Sequence, residues 1–461
     1  MSASPRHPLN RSWFRRLRAR LAARRAGLIG ALLVVGCVPA PAPDPGVAVP
    51  VETARITFED HLAAVIASDL NGDGLDDLVI GDSLAGEYPR SEGGDVHVLL
   101  GPVVSRDLTV TAADLTLHGQ VPYRHAGLDL AVADLDGDGV GDIVVRTDVS
   151  LQWTGTVYVV SGGLRGHQDL ETAAFLTLDG PATLGQAMLE TDYNGDGAAD
   201  LIVSCPLRSE VYVVLGPRSG HLQLPDDADA TIATDNGALG WSLAAGDLDG
   251  NGWPDLVIAE PIADVIYVVP VGLVGRFAIT DAVIALVRSG DGRDLLRGVD
   301  AIRLTESTDA LLIRSRRSDS EQWGTVFVRT RPVVGDLDAR TDSDLTLEDA
   351  AVSFGVPTDT GRPTGDREPL LAIGAPARTH LPTSNLTGEA WLLRGDLRGV
   401  HSLDSAEVAA ASWRVSGPDV GVDLFGNSVF FARLRVPGRV DFVATGKGTV
   451  LVYAWNDPQF P

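Results

Sequence analysis

Four segments of the chain align without a gap: Asp69–Ile80 (DLNGDGLDDLVI), Asp134–Val145 (DLDGDGVGDIVV), Asp192–Val203 (DYNGDGAADLIV) and Asp247–Ile258 (DLDGNGWPDLVI). Their first aspartates are 65, 58 and 55 residues apart. Self-similarity at a near-constant period constrains the fold more than any other feature, because each copy is one structural unit that must bury its apolar surface against the next. Seven positions before each first aspartate stand Leu62, Gly127, Gly185 and Gly240, and the same approach recurs around Gly298, Gly355 and Gly426 without the acidic loop. A short β-rich run follows every anchor, for example DVHVLLGP (95–102), EVYVVLGP (210–217) and GTVLVYAW (448–455).

Each period therefore holds several short β-type runs between Gly, Asp and Pro turns, and no stretch reads as an amphipathic helix. A small sheet cannot cover both of its faces alone, so such units stack radially. The expectation is an all-β, seven-bladed β-propeller over residues 51–456, with Val51–Phe58 supplying the strand that closes the ring and 457–461 a tail. With 461 residues the chain exceeds one ordinary small core, and its two cysteines cannot build a disulfide framework. The formal charge of −25 argues against sequence-independent binding to nucleic acid.

The acidic loops carry oxygen side chains at their first, third, fifth and ninth positions. Site one is Asp69, Asn71, Asp73 and Asp77; site two is Asp134, Asp136, Asp138 and Asp142. Site three is Asp192, Asn194, Asp196 and Asp200; site four is Asp247, Asp249, Asn251 and Asp255. The seventh positions, Leu75, Val140, Ala198 and Trp253, would offer backbone carbonyls. A hard cation that takes six to eight oxygens needs this pattern, and carboxylates so close together repel one another without one. Glycine at the sixth position permits the sharp turn, as in an EF-hand, but the glutamate that closes an EF-hand at position twelve is absent; the ninth aspartate takes that part. About four structural Ca²⁺ ions are expected, one per loop.

The repeat resembles the FG-GAP repeat of integrin alpha-subunit propellers, with the naming motif as Phe354-Gly355, Gly374-Ala375-Pro376 and Phe425-Gly426. The resemblance implies a seven-bladed propeller of this type, Ca²⁺ held in loops within single blades on the lower face, and ligands on the upper face. Units five to seven have lost most acidic ligands, and no ion is expected there.

Residues 1–36 hold eight arginines and no acid, followed by an apolar run, Ala26–Val35, too short to span a bilayer as a helix. The sequence Leu33-Val34-Val35-Gly36-Cys37 resembles the lipobox of bacterial lipoproteins, which makes 1–36 a signal peptide and Cys37 the lipidated residue. Residues 37–50 then form a Pro/Ala-rich tether with polyproline II character. Without the first eight arginines, 29 basic residues face 62 acidic ones, a formal charge of −33. Localisation to the cell envelope by a lipid anchor is expected.

Other signals are weaker. Arg394-Gly395-Asp396 sits where other units turn between strands. The histidines His61, His97, His118, His125, His167, His221, His380 and His401 fall in different units without metal-type spacing, which favours packing roles. Tryptophans such as Trp241, Trp253 and Trp391 lie beside strand markers, and Cys205 ends an apolar run, the place of a buried thiol. No G-x-S-x-G or P-loop signature is present. The sequence thus predicts a monomeric, non-enzymatic binding or adhesion module for a surface protein or extracellular polysaccharide, touching the membrane only through its lipid. An extracellular polysaccharide lyase or phospholipase-like hydrolase, and a purely structural envelope component, are the alternatives.

Overall fold

The computed structural model describes residues 49–57, 62–86, 92–104, 107–147, 154–235, 237–290, 294–302, 309–317, 324–350, 360–361, 370–375, 389–394, 397–402, 405, 407–408, 412–416, 429–436, 440–446 and 448–456. The signal segment, Cys37, most of the tether, His61, His380, Phe354-Gly355, Phe425-Gly426, Gly395-Asp396 and the tail lie outside them.

Unit one shows the pattern. Strands Leu62–Ser68, Asp77–Asp82, Asp95–Leu99 and Leu115–His118 are antiparallel neighbours. A fifth strand, Gly166–Asp169, comes from the following unit and lies parallel to Leu115–His118. The same loan recurs: Leu176–Pro181 takes Gly220–Gln223, Ala230–Ala233 takes Gly275–Ala278, Ala285–Arg288 takes Gly335–Asp338, and Leu345–Ala350 takes Gly399–Ser402. These borrowed strands (GHQD, GHLQ, GRFA) are short, polar and largely exposed, so a search for apolar β-runs passes over them.

The last sheet joins the two ends of the described chain. Val429–Ala432, Asp441–Gly446 and Thr449–Asn456 are completed by Val49–Thr57, which pairs antiparallel with Thr449–Asn456 through Ala54↔Val452 and Ile56↔Val450. The closing strand is thus the one anticipated, shifted by two residues at its start. Leu108–Thr109 adds the parallel fifth strand. Unit six has four strands, Thr360–Gly361, Leu370–Ala375, Glu389–Arg394 and Ser412–Ser416. By the pattern its fifth strand would follow Asn456, outside the described residues. The expectation of seven blades is corrected accordingly: among the described residues six blades are complete with five strands, and unit six shows a four-stranded sheet.

The core runs between sheets. The second strand of unit one is buried along its whole length, Leu78 and Ile80 packing with Ala54 and Ile56 of the closing sheet, Val79 with Ile143 and Val145 of unit two. Strands covered on both faces read as continuous apolar runs rather than alternating ones, which explains DLVI and DIVV. The anchor glycines have a backbone reason. Gly127 has φ +86° and sits so close to unit one that a Cβ on Gly81 would lie 2.1 Å from the Gly127 carbonyl oxygen. Among the described residues helix is confined to single turns such as Leu170–Ala173, and none is long and apolar enough to cross a membrane.

Candidate metal sites

Each acidic loop connects the first and second strands of its sheet, and its ninth residue begins the second strand: Asp77, Asp142, Asp200 and Asp255. All four are at most 1% exposed. The second residue (Leu70, Leu135, Tyr193 or Leu248) is buried as a pin beneath the loop. Its N–H donates to the ninth aspartate's Oδ2 at 2.8–3.0 Å in all four loops. The D-L/Y start of every motif carried this signal, which the sequence reading had not used.

Loop amides fix the first carboxylate. Asp134 accepts from the N–H groups of Gly137 at 2.8 Å and Gly139 at 2.9 Å, and Asp69, Asp192 and Asp247 accept from the equivalent glycines. Those glycines all have φ between +74° and +89°, a region costly for other residues. The third and fifth side chains each accept from the N–H two residues on, as in Asp136–Asp138 at 3.0 Å and Asp138–Val140 at 2.8 Å. Every expected side-chain ligand is thereby placed around its own loop. Ligand oxygens of Asp134, Asp136 and Asp138 lie within 4.8 Å of one another, as do those of Asp247, Asp249 and Asp255. In sites one and three the third residue is an amide: Asn194 Nδ2 donates to Asp196 Oδ2 at 2.8 Å, and Asn71 Nδ2 faces Asp77 Oδ1 at 3.5 Å.

The electrostatics show strain that a cation would relieve. Burial pushes all four ninth aspartates above the usual carboxylate range, and neighbouring loop aspartates add to it. Asp142 reaches about 7 and Asp255 about 6. Asp69 is the opposite case: burial raises it, but N–H groups of Gly74, Gly72, Asn71 and Asp73 together hold it below the ordinary value. Oδ1 of Asp77 and Asp200 accepts from Gly101 at 2.7 Å and Gly216 at 2.8 Å, whereas Oδ1 of Asp142 is buried without a hydrogen-bond partner. An orphaned, desolvated carboxylate oxygen on an aspartate whose charge is opposed by Asp136 and Asp138 fits a bound divalent ion.

Units five to seven differ at the same place. Ala310 and Leu370 begin the second strands of units five and six, where the loops have aspartate. Unit seven keeps the acid, Asp441, 1% exposed, but Arg433 and Arg435 stand at the first and third loop positions. Arg435 contacts Asp441 Oδ1, and Arg433 pairs with Asp76 of unit one at 2.7 Å.

Among the other candidates, Cys205 is buried as expected and Trp391 is 4% exposed in the core. Trp253 is 58% exposed, its ring edge against Gly195 of the site-three loop. His118 of unit one and His167 of unit two are neighbours across strands, which spacing along the chain cannot show because sheet register brings them together.

Comparison with known proteins matches residues 126–160 to the FG-GAP repeat and residues 192–258 to an FG-GAP-like repeat. The phosphatidylinositol-glycan-specific phospholipase D of Rattus norvegicus is 34% identical over 162 residues, 31% of this chain and 19% of that protein. That of Bos taurus is 32% identical over 202 residues, 40% of this chain and 24% of that protein. Integrin alpha-PS2 of Drosophila melanogaster is 27% identical over 241 residues, 47% of this chain and 16% of that protein. The chain thus spans less than a quarter of these relatives' length. It carries FG-GAP repeats on an all-β propeller, and the repeat models fall on units that lack a literal Phe-Gly pair.

Proposed function

We propose that this FG-GAP propeller is an exported, lipid-anchored binding module of the cell envelope, with Ca²⁺ in its four acidic loops. Seven blades are counted in this reading, unit six included. The Asp134–Asp136–Asp138 cluster, together with the orphaned Oδ1 of Asp142, whose charge Asp136 and Asp138 oppose, carries the metal part. Asp69, Asn71, Asp73 and Asp77 would hold one ion and the matching residues of the other loops one each, with the carbonyls of Leu75, Val140, Ala198 and Trp253 completing the shells. A bound ion supplies positive charge that neutralises clustered carboxylates and pins each loop; the chain's own amides orient the oxygens that receive it. Units five to seven take no ion.

The binding part rests on the end of the propeller opposite these loops. There Leu84, Val121, Tyr123, Leu207, Trp241 and Ile262, spread over units one to four, are exposed large apolar side chains. Val104, Trp253, Val274, Val334, Val400 and Val436 are exposed away from it, so the choice of this end follows the family resemblance, with Tyr123 and Trp241 as its aromatic anchors. A surface protein or an extracellular polysaccharide is the partner class. The test is residues 38–461 applied to arrays of envelope polysaccharides and purified surface proteins, with Ca²⁺ or chelator. Ca²⁺-dependent retention that Trp241→Ala and Ile262→Asp weaken supports the reading. A folded, Ca²⁺-loaded protein that is retained nowhere, or that turns over a glycan or phospholipid, overturns it.

A further inference from the structure

Two strands of unit one and its borrowed fifth strand assemble a group that no sequence motif announces. Register places Asp95 opposite His118 and, two positions on, His97 opposite Thr116 and Thr116 beside His167. His118 Nδ1 lies 3.1 Å from the Asp95 Oδ1 carboxylate oxygen, an acceptor, which favours the tautomer that donates from Nδ1 and leaves the lone pair on Nε2. His118 Nε2 in turn faces His167 Nδ1 at 3.2 Å, the rings nearly parallel with centroids 5.4 Å apart. Asp95 is buried, His118 half-buried and His167 exposed, so the pair opens to solvent on one side.

We propose that His118 and His167 form a binding site for a borderline divalent cation such as Zn²⁺ or Cu²⁺, distinct from the oxygen-lined loops. Two nitrogens bound at about 2.0 Å to a tetrahedral ion stand about 3.3 Å apart, close to the separation present; the two now face each other as a hydrogen-bonded pair, so each ring must turn to aim its lone pair at the ion. The Asp95–His118 bond is the outer-shell contact that orients a metal-binding imidazole and raises its basicity. On binding, His118 donates its Nε2 lone pair without changing protonation. His167 moves its proton from Nδ1 to the solvent-facing Nε2 and donates Nδ1, so no net proton is released. Water fills the remaining positions. Asp169 and Glu171, both tied to Gln120 at the same edge, add negative potential that favours cation approach. Imidazole selects these ions over Ca²⁺, which takes oxygen.

The equivalent edge in the next two units holds ordinary polar pins on the borrowed strand: His221–Asp179 at 2.8 Å and Arg276–Glu210 at 2.6 Å. Among the described residues two imidazoles meet only in unit one, which separates a metal site from a fastening.

The test is titration of the full chain, its loops saturated with Ca²⁺, with Zn²⁺ by calorimetry and with Cu²⁺ by electron paramagnetic resonance. One saturable equivalent is expected, with a Cu²⁺ spectrum showing coupling to nitrogen. His118→Gln and His167→Gln should each weaken Zn²⁺ at least tenfold and abolish the nitrogen coupling, and His221→Gln should change neither. His167 is exposed, so its variant decides the matter should His118→Gln fail to fold. Wild-type affinity in a folded His167→Gln variant, or no nitrogen-bound Cu²⁺ in the wild type, overturns the proposal.

Discussion

Arg435 places Nη2 2.6 Å and Nε 2.8 Å from Asp441 Oδ1. Asp441 begins its strand as Asp77, Asp142, Asp200 and Asp255 begin theirs. The one unit that keeps the buried acid without an acidic loop therefore answers it with a guanidinium from its own third loop position. Removing one partner of such a pair leaves a desolvated charge, at a cost of about 3 kcal/mol. Arg435→Ala should lower the urea midpoint by that order, and the double change Arg435→Met with Asp441→Leu should recover most of it. An unchanged midpoint in Arg435→Ala would mean that water serves Asp441 equally well.

The acidic loops should respond to chelation where unit seven does not. Chelator in metal-free buffer is expected to lower the melting temperature of the wild type, and the same drop should appear in Arg435→Ala. Calorimetric melts with and without Ca²⁺ check it; no shift with chelator would sink the calcium reading.

Each loop draws its hydrogen bonds chiefly from itself, so the sites should be independent. Asp138→Ala removes the fifth ligand of site two and the acceptor for the Val140 N–H. Equilibrium dialysis should then show one ion weakened and three retained. Loss of all four would show that the loops act as one unit.

His97 gives a pH dependence of known sign. It is buried on the third strand of unit one beside Thr116, and burial holds its imidazole down at about 4. The unfolded chain takes up this proton near 6.5 while the folded chain resists, so stability present above that pH is lost as pH falls from about 6.5 towards 4. The full effect is on the order of 3 kcal/mol. His97→Gln should flatten the slope of the urea midpoint over that window. A slope unchanged by the substitution would assign it to other groups.

The closing strand should be worth more than its length suggests. Ile56 is fully buried where the first and last described strands pair. Ile56→Ala should cost about 3 kcal/mol by lost burial and cavity. Limited proteolysis should show cleavage first in the sheets of units seven and one, and uniform cleavage would indicate that the ring does not open there.

Much of this was readable in the chain because period, turn glycines and acidic spacing are local properties. Gly127 and Gly139 need their backbone conformation, and Asp134 to Asp142 lie within nine residues. What escaped depends on register between distant segments. The polar strand Gly166–Asp169 becomes a strand only beside Leu115–His118, His118 meets His167 through that pairing, and Arg435 pairs with Asp441 only because that acid is buried next to it.

The pairing of Val49–Thr57 with Thr449–Asn456 has a consequence in time. Thr53 Oγ1 donates to the Val452 carbonyl, across 399 positions of sequence. Contacts of that separation form slowly because the intervening chain must first be ordered. During synthesis this strand is made before the rest of the ring and acquires its partner after it. The growing chain accumulates sheets but stays an open arc, with one apolar flank uncovered, until the final strand arrives to shut it.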